Sequence, residues 1–244
     1  MTSDEESVIE NSYRNYRFGA RMLEVIILIL DKMSISHHRI HTYLMQRGLA
    51  RGEPAKRRQR KWVRYERDHS MSAGHIDWHE SAVNGKKLCA IIDDSSRKIL
   101  AAGEFDSVTT ANTITVLDAM VREYENICPL RELIMDHGSE FGAHRRDENG
   151  EWDSEFKRHL EELSIRPILA RVKHPQTNGK IEKWFDNYRR FRSDFTSLED
   201  YINWYNNRPH GSLDFNTLET PSMAFWRRLP KEAIFNIGVR IFGW

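Results

Sequence analysis

Apolar and polar positions follow three rhythms along this chain. Up to about residue 50 the rhythm is helical. Ser7–Arg17 has the pattern of a short helix, and after Gly19 the residues Met22, Leu23, Ile26, Ile27 and Leu30 recur at helical spacing. Ser36 is placed to cap a further helix, HHRIHTYLMQRG, and Gly48 to stop it. From about residue 71 the pattern changes to strands. His75–His79 alternates, and Lys87–Ile92 and Lys98–Phe105 are apolar runs separated by DDSS, which predicts a turn. Beyond them helices and strands alternate. Helices are expected over Thr109–Tyr124, Ser154–Leu163 and Gly179–Arg190, and strands over Leu133–Met135 and Ile165–Leu169. Helical pattern returns at Leu198–Asn206 and Pro221–Arg227. Three adjacent strands followed by alternating elements predict an α/β fold, a mixed sheet flanked by helices.

Charge adds a third zone between the other two. The net charge of the 244 residues is only +1, yet residues 51–67, RGEPAKRRQRKWVRYER, hold eight Lys/Arg against Glu53 and Glu66, a local net of +6. Such a segment is either a solvated linker or one that lies along a phosphate backbone, with Arg57, Arg58, Arg60 and Lys61 at its centre. The expected division is therefore a helical region, 1–50, a basic linker, 51–70, a core, 71–228, and a C-terminal tail, 229–244. The helical region has the outline of a partial helix-turn-helix, which many small helical packings share. Cys89 and Cys128 stand too far apart for a CxxC zinc ribbon, and two cysteines make no disulfide framework. The longest apolar run, Val25–Leu30, is too short to cross a bilayer, and the acidic, polar N-terminus is no signal peptide. A soluble cytoplasmic protein, associated with the nucleoid, is expected.

Three acidic residues stand where chemistry could use them. Asp77 interrupts a strand, where an acid is costly unless it binds something. Asp136 follows the strand LIM, and ligands gather at the carboxyl ends of strands in open sheets. Glu182 falls in the first turns of a helix. If the first and fourth strands are neighbours and this helix crosses their ends, the three carboxylates converge. Such a set suits hard divalent cations, and two ions roughly 3.5–4 Å apart can drive an in-line phosphodiester displacement. Taken singly, an Asp at a strand end is more often a turn former and a Glu on a helix is more often solvated. His75, Asp77 and His79 share a strand face, and His37 and His41 stand at i, i+4. Oxygen-preferring Mg²⁺ and the lack of a cysteine pair argue against a histidine metal site at either place. The tryptophans Trp78, Trp184, Trp204 and Trp226 are expected to pack rather than to stack on bases.

In the order HIDWHE, IMDHGSEF, HPQTNGKIEKW and WYNNRPHGSLDFNTLETPSMAF, the segments from about His75 to Phe225 resemble the integrase-core transposases of insertion sequences, the DDE group related to retroviral integrases. The resemblance implies a ribonuclease H-like fold and Mg²⁺-dependent DNA cleavage and strand transfer, with two ions per site and Mn²⁺ as a substitute. Asp77, Asp136 and Glu182 would be its catalytic, metal-binding carboxylates. It also implies double-stranded DNA as partner, a homo-oligomer on that DNA, and no membrane. Lys173, His174, Asn178, Lys180 and Lys183, clustered around Glu182, would face DNA, and the N-terminal helices would correspond to the second half of a helix-turn-helix region. Two departures stand out. The 45 residues between Asp136 and Glu182 exceed the family's usual spacing, and the surplus falls in GAHRRDENGEWDS, read as an inserted surface hairpin or loop with Asn149–Gly150 as its turn. A first helix-turn-helix would also be missing, which leaves open a remnant that only binds DNA. A nuclease on the same fold is the other alternative.

Overall fold

The computed structural model describes residues 1–50, 66–80, 83–170 and 179–242. The chain divides into two compact units, Met1–Arg64 with Arg208–Glu219, and Tyr65–Asn207 with Thr220–Trp244.

The first unit is built on α1 (Ser3–Tyr16), α2 (Ala20–Leu30) and α3 (His37–Gln46). Helix α1 starts four residues earlier than its apolar pattern indicates. The cause is a capping box: the Thr2 hydroxyl accepts from the Glu5 backbone N–H, and the Glu5 carboxylate accepts from the Thr2 N–H at 2.9 Å. Ile9, Leu23, Ile26, Ile27, Ile35, Ile40 and Leu44 form the core of this unit. Each such side chain contributes roughly 1.5–3 kcal/mol by leaving water. The returning segment closes this core. Phe215 and Leu218 pack against it, Phe215 meets Phe18 edge-on at 5.9 Å, and Arg208 donates to the Tyr16 carbonyl at 3.0 Å.

The second unit holds a five-stranded sheet of β1 (Gly74–Glu80), β2 (Lys87–Asp93), β3 (Ile99–Phe105), β4 (Glu132–Met135) and β5 (Arg166–Leu169), in the order β3-β2-β1-β4-β5. Strands β1, β2 and β3 are antiparallel, whereas β4 and β5 run parallel to β1. The helices are α4 (Thr110–Tyr124), α5 (Glu155–Glu162), α6 (Gly179–Phe191), α7 (Leu198–Asn206), α8 (Pro221–Arg227) and α9 (Lys231–Phe242). The sheet separates two cores. Ile76, Cys89 and Ile91 pack with Val116, Leu117, Met120, Phe156 and Leu160 of α4 and α5. On the other face Leu88, Ala90 and Ile92 pack with Ile181, Trp184 and Tyr188 of α6 and Tyr201 and Tyr205 of α7. Strand β2 is covered on both faces, which is why it reads as an unbroken apolar run.

Two segments differ from their expected character. Residues 231–242 of the expected tail form α9, whose Ala233 is buried in the α4–α5 core. The DDSS turn is a turn, but Asp93, Asp94, Ser95, Ser96 and Arg97 are all buried. Its polar groups are satisfied internally. The Asp93 carboxylate accepts from Met71 N–H at 2.8 Å, Ser96 N–H at 2.7 Å and the Ser96 hydroxyl at 2.6 Å. Arg97 reaches Glu66 at 2.6 Å, and Glu66 also takes Arg228 at 2.5 Å. The polar stretch before α5 forms a small hairpin, with Arg146 bridged to Trp152, Asp147 accepting from Asn149 N–H and Glu151 N–H at 2.9 Å each, and Gly150 at φ 80°.

Candidate active site

Strand alternation on β1 turns Ile76 and Trp78 toward the α4 side and His75, Asp77 and His79 toward α6. The α6 side of β1 is well covered near His75, which is buried, and near His79, whose ring stacks on Phe185 at 4.9 Å. Asp77 lies between them, half-buried, its carboxylate accepting only from the adjacent Trp78 N–H at 2.8 Å among the bonds of the described residues. Strand β4 is its parallel neighbour. Gly74 stands opposite Leu133 and His75 opposite Ile134, and the same register carried on two residues sets Asp77 level with Asp136. Asp136 follows the last residue of β4 and turns the chain, accepting from Gly138 N–H at 2.8 Å. Adjacent strands lie about 4.8 Å apart, so two side chains level on one face are neighbours.

Glu182 comes from α6. Ile181, Trp184, Phe185 and Tyr188 bury one side of this helix against the sheet, which leaves Glu182 in its exposed first turn. Negative charge is favoured at a helix N-terminus. The charges of Asp136 and Glu182 reach Asp77. Burial, and then the charges of Asp136, Glu182 and Glu140, push the Asp77 carboxyl up to about 7 against the opposing hydrogen bond from Trp78. Glu140 follows Asp136 by four residues, in the short 3₁₀ turn Ser139–Phe141, and its carbonyl accepts from the Thr110 hydroxyl at 2.8 Å. The donors are all carboxylate oxygens, the chemistry that Mg²⁺ and Mn²⁺ prefer. Among the described residues the acids are not drawn into a closed cage of three or more metal-ligating side chains.

Asp94 lies beside this site and has the opposite environment. Its carboxylate meets His75 Nε2 at 2.6 Å, accepts from Arg67 N–H at 2.7 Å, and pairs with the ammonium of Lys180, which also donates to the Asp94 carbonyl at 3.1 Å. Burial works to raise this carboxyl, but the hydrogen bond and charge of His75 and the charge of Lys180 outweigh it and hold Asp94 far below the usual carboxylate range. Burial and nearby Arg97 pull the Lys180 ammonium downward against the attraction of Asp94.

No family model matches the chain. Over 142 residues it is 30% identical to a protein of Spiroplasma virus SpV1-C74 described as "Putative integrase ORF3", an alignment that takes in 52% of this chain and 39% of that protein. The chain thus spans well under half the length of this curated relative. A crystal structure of the catalytic core domain of BIV integrase is similar at a TM-score of 0.48 and 15% identity, over 64% of this chain and 95% of that one. The strand order, three antiparallel strands beside two parallel ones with helices on both faces, is that of ribonuclease H-like proteins.

The sequence-predicted DNA contacts fall into separate groups. Arg57, Arg58, Arg60, Lys61, Lys173, His174 and Asn178 lie outside the described residues. The Lys183 ammonium is exposed and 3.8 Å from Asp186, which also pairs with Arg189 at 2.6 Å. The Lys180 ammonium is turned inward onto Asp94. Trp184 is fully buried, Trp78 donates to the Thr113 hydroxyl at 3.1 Å, and Trp204 packs among Phe191, Phe195 and Tyr201, whereas Trp226 is 49% exposed. Sequence reasoning passed over Asp94 and Glu140. The signal for Asp94 was two adjacent acids in a turn between buried strands, and for Glu140 an acid one turn beyond a strand-end Asp.

Among the described residues no helix is long and apolar enough to cross a membrane.

Proposed function

We propose that this chain is a DNA strand transferase that hydrolyses a phosphodiester at defined DNA ends and then directs the freed 3′-hydroxyl against a target phosphodiester. The observation that carries this reading is half-buried Asp77 on β1 lying within the charge of Asp136, level with it after β4, and of Glu182 on α6. Similarity to a viral protein described as an integrase supports the choice of DNA over other phosphodiester substrates. Asp77, Asp136 and Glu182 are the metal-binding and catalytic carboxylates in this reading. Divalent cations, Mg²⁺ or Mn²⁺ and two per site, would supply charge neutralisation and a more nucleophilic water or 3′-hydroxyl.

The residues themselves contribute placement. Strand β1 and the turn after β4 hold Asp77 and Asp136 in register, and the packed face of α6 fixes the roll of Glu182. Holding reactants in line is a large part of such catalysis, because one P–O bond forms as another breaks and neither half-reaction needs a covalent protein intermediate. Exposed Lys183, one residue after Glu182, is positioned to approach a phosphate. A homo-oligomer on paired DNA ends is part of the same proposal.

The test is a Mn²⁺- or Mg²⁺-dependent joining assay on duplexes bearing the sequences that flank the gene, wild type beside Glu182→Gln. Joined strands from the wild type alone are the expected result. Cleaved strands without joining would make the protein a nuclease of this fold, and equal activity in Glu182→Gln would overturn the assignment of the carboxylates.

A further inference from the structure

We propose that Asp94 is a positioning residue, a buried latch that sets the Asp77 strand and the Glu182 helix relative to each other through His75 and Lys180. This inference rests on the reading of Asp77 and Glu182 as metal-binding carboxylates. Its basis is a coincidence of spacing. His75 stands two residues before Asp77 on the same face of β1, and Lys180 stands two residues before Glu182 in the first turn of α6. Both end on one carboxylate, at 2.6 Å for His75 and in a direct ion pair for Lys180.

The apolar anchors of α6, Ile181, Trp184, Phe185 and Tyr188, fix the roll of the helix against the sheet. An apolar face can slide by a fraction of a turn at little cost, whereas an ammonium held by a buried carboxylate and a carbonyl cannot. Asp94 is itself fixed from two further directions, by Arg67 N–H on its carboxylate at 2.7 Å and by its own N–H on the Ala73 carbonyl at 2.9 Å. Ala73 directly precedes β1, so the latch holds that strand by backbone as well as by side chain. A buried ion pair is a poor means of adding stability, because desolvating both ions offsets their attraction. Its geometric strictness is what an apolar pair would not supply. Lys180 is thereby assigned to the protein interior rather than to DNA phosphates.

The two roles separate experimentally. Full-length Lys180→Met is compared with wild type by titration with Mn²⁺ alone and by the salt dependence of its affinity for duplex DNA. A latch predicts Mn²⁺ affinity lower by about tenfold, within the range for residues that orient metal ligands, an unchanged salt slope, and recovery in Lys180→Arg. A phosphate contact predicts unchanged Mn²⁺ affinity and a salt slope shallower by about 1, and that result overturns the latch, as does no change in either quantity. Asp94→Asn, close in volume, reads the same effect from the other end and takes over if Lys180→Met does not fold; Mn²⁺ affinity equal to wild type in it also overturns the latch. Glu182→Gln is run alongside. If it binds Mn²⁺ as well as wild type, or if wild type binds none, the carboxylate reading itself has failed.

Discussion

Asp77 and Asp94 face the same side of one sheet and are both withdrawn from water, yet they have opposite characters. Asp94 is met by an imidazole, an ammonium and a backbone N–H, and it stays ionised to far lower pH than a free carboxylate. Asp77 is met by one backbone N–H and by the charges of three other acids, and it holds its proton up to about 7. Folding completes the first environment and leaves the second incomplete. A buried acid with every partner in place is part of the scaffold. One left short of positive charge is where a ligand can add free energy, and in the proposed function that place is Asp77.

The largest effect is expected at Asp94. Replacement by Ala leaves the Lys180 ammonium and His75 without their partner, and urea denaturation should show a loss of about 3–5 kcal/mol. A loss below about 1 kcal/mol would mean that the latch is solvated and that the two acids do not differ as described. Next comes Glu182→Gln, where the split should be between activity and stability. Joining should fall on the order of 10²-fold or more, about 2.7 kcal/mol in the transition state, while the midpoint of thermal unfolding stays within a few degrees.

Asp77→Asn should act in the opposite direction from Asp94→Ala. With the folded carboxyl raised to about 7 and the unfolded value near 3.9, protonation of Asp77 favours the folded state. That contribution is complete below the unfolded value and is lost as pH rises through about 7. Metal-free wild type should therefore lose stability between about pH 4 and about pH 7. Asp77→Asn should flatten that dependence and be more stable at pH 8 by about 1–3 kcal/mol, less than the full shift implies because the group is only half-buried. An unchanged pH profile in Asp77→Asn would show that the carboxyl is ordinary. The smallest effect belongs to a third Asp, at the exposed hairpin before α5. Asp147→Ala should leave the midpoint of the same denaturation experiment unchanged, although its carboxylate accepts two backbone N–H groups much as Asp93 does.

What the sequence made legible was whatever local periodicity encodes. Strands β1 to β3, the helix starting after Thr109, and α7 and α8 follow directly from apolar spacing and caps. The placement of Asp77 inside a strand and of Asp136 at a strand end needed only that reading. Residues whose meaning depends on distant partners were not legible. DDSS and RDENG look alike as polar turn formers, but the first is buried because Glu66, His75, Lys180 and Arg228 converge on it from elsewhere. The segment 231–242, expected to be part of a tail, becomes a helix whose Ala233 packs into the core. Lys180 reads as a surface cation beside Glu182 until its partner, 86 residues away, is known.

The first unit has a consequence for the order in which the molecule can be made. Helices α1 to α3 occupy the first 46 residues, but Phe215 and Leu218 complete their core and the Arg208 bond to Tyr16 spans 192 residues of sequence. At roughly 5–20 residues per second of translation, the closing segment follows on the order of 10 s after the helices. For that interval the nascent helices lack their cover, and their Ile- and Leu-rich faces are available to a chaperone or to a neighbouring nascent chain.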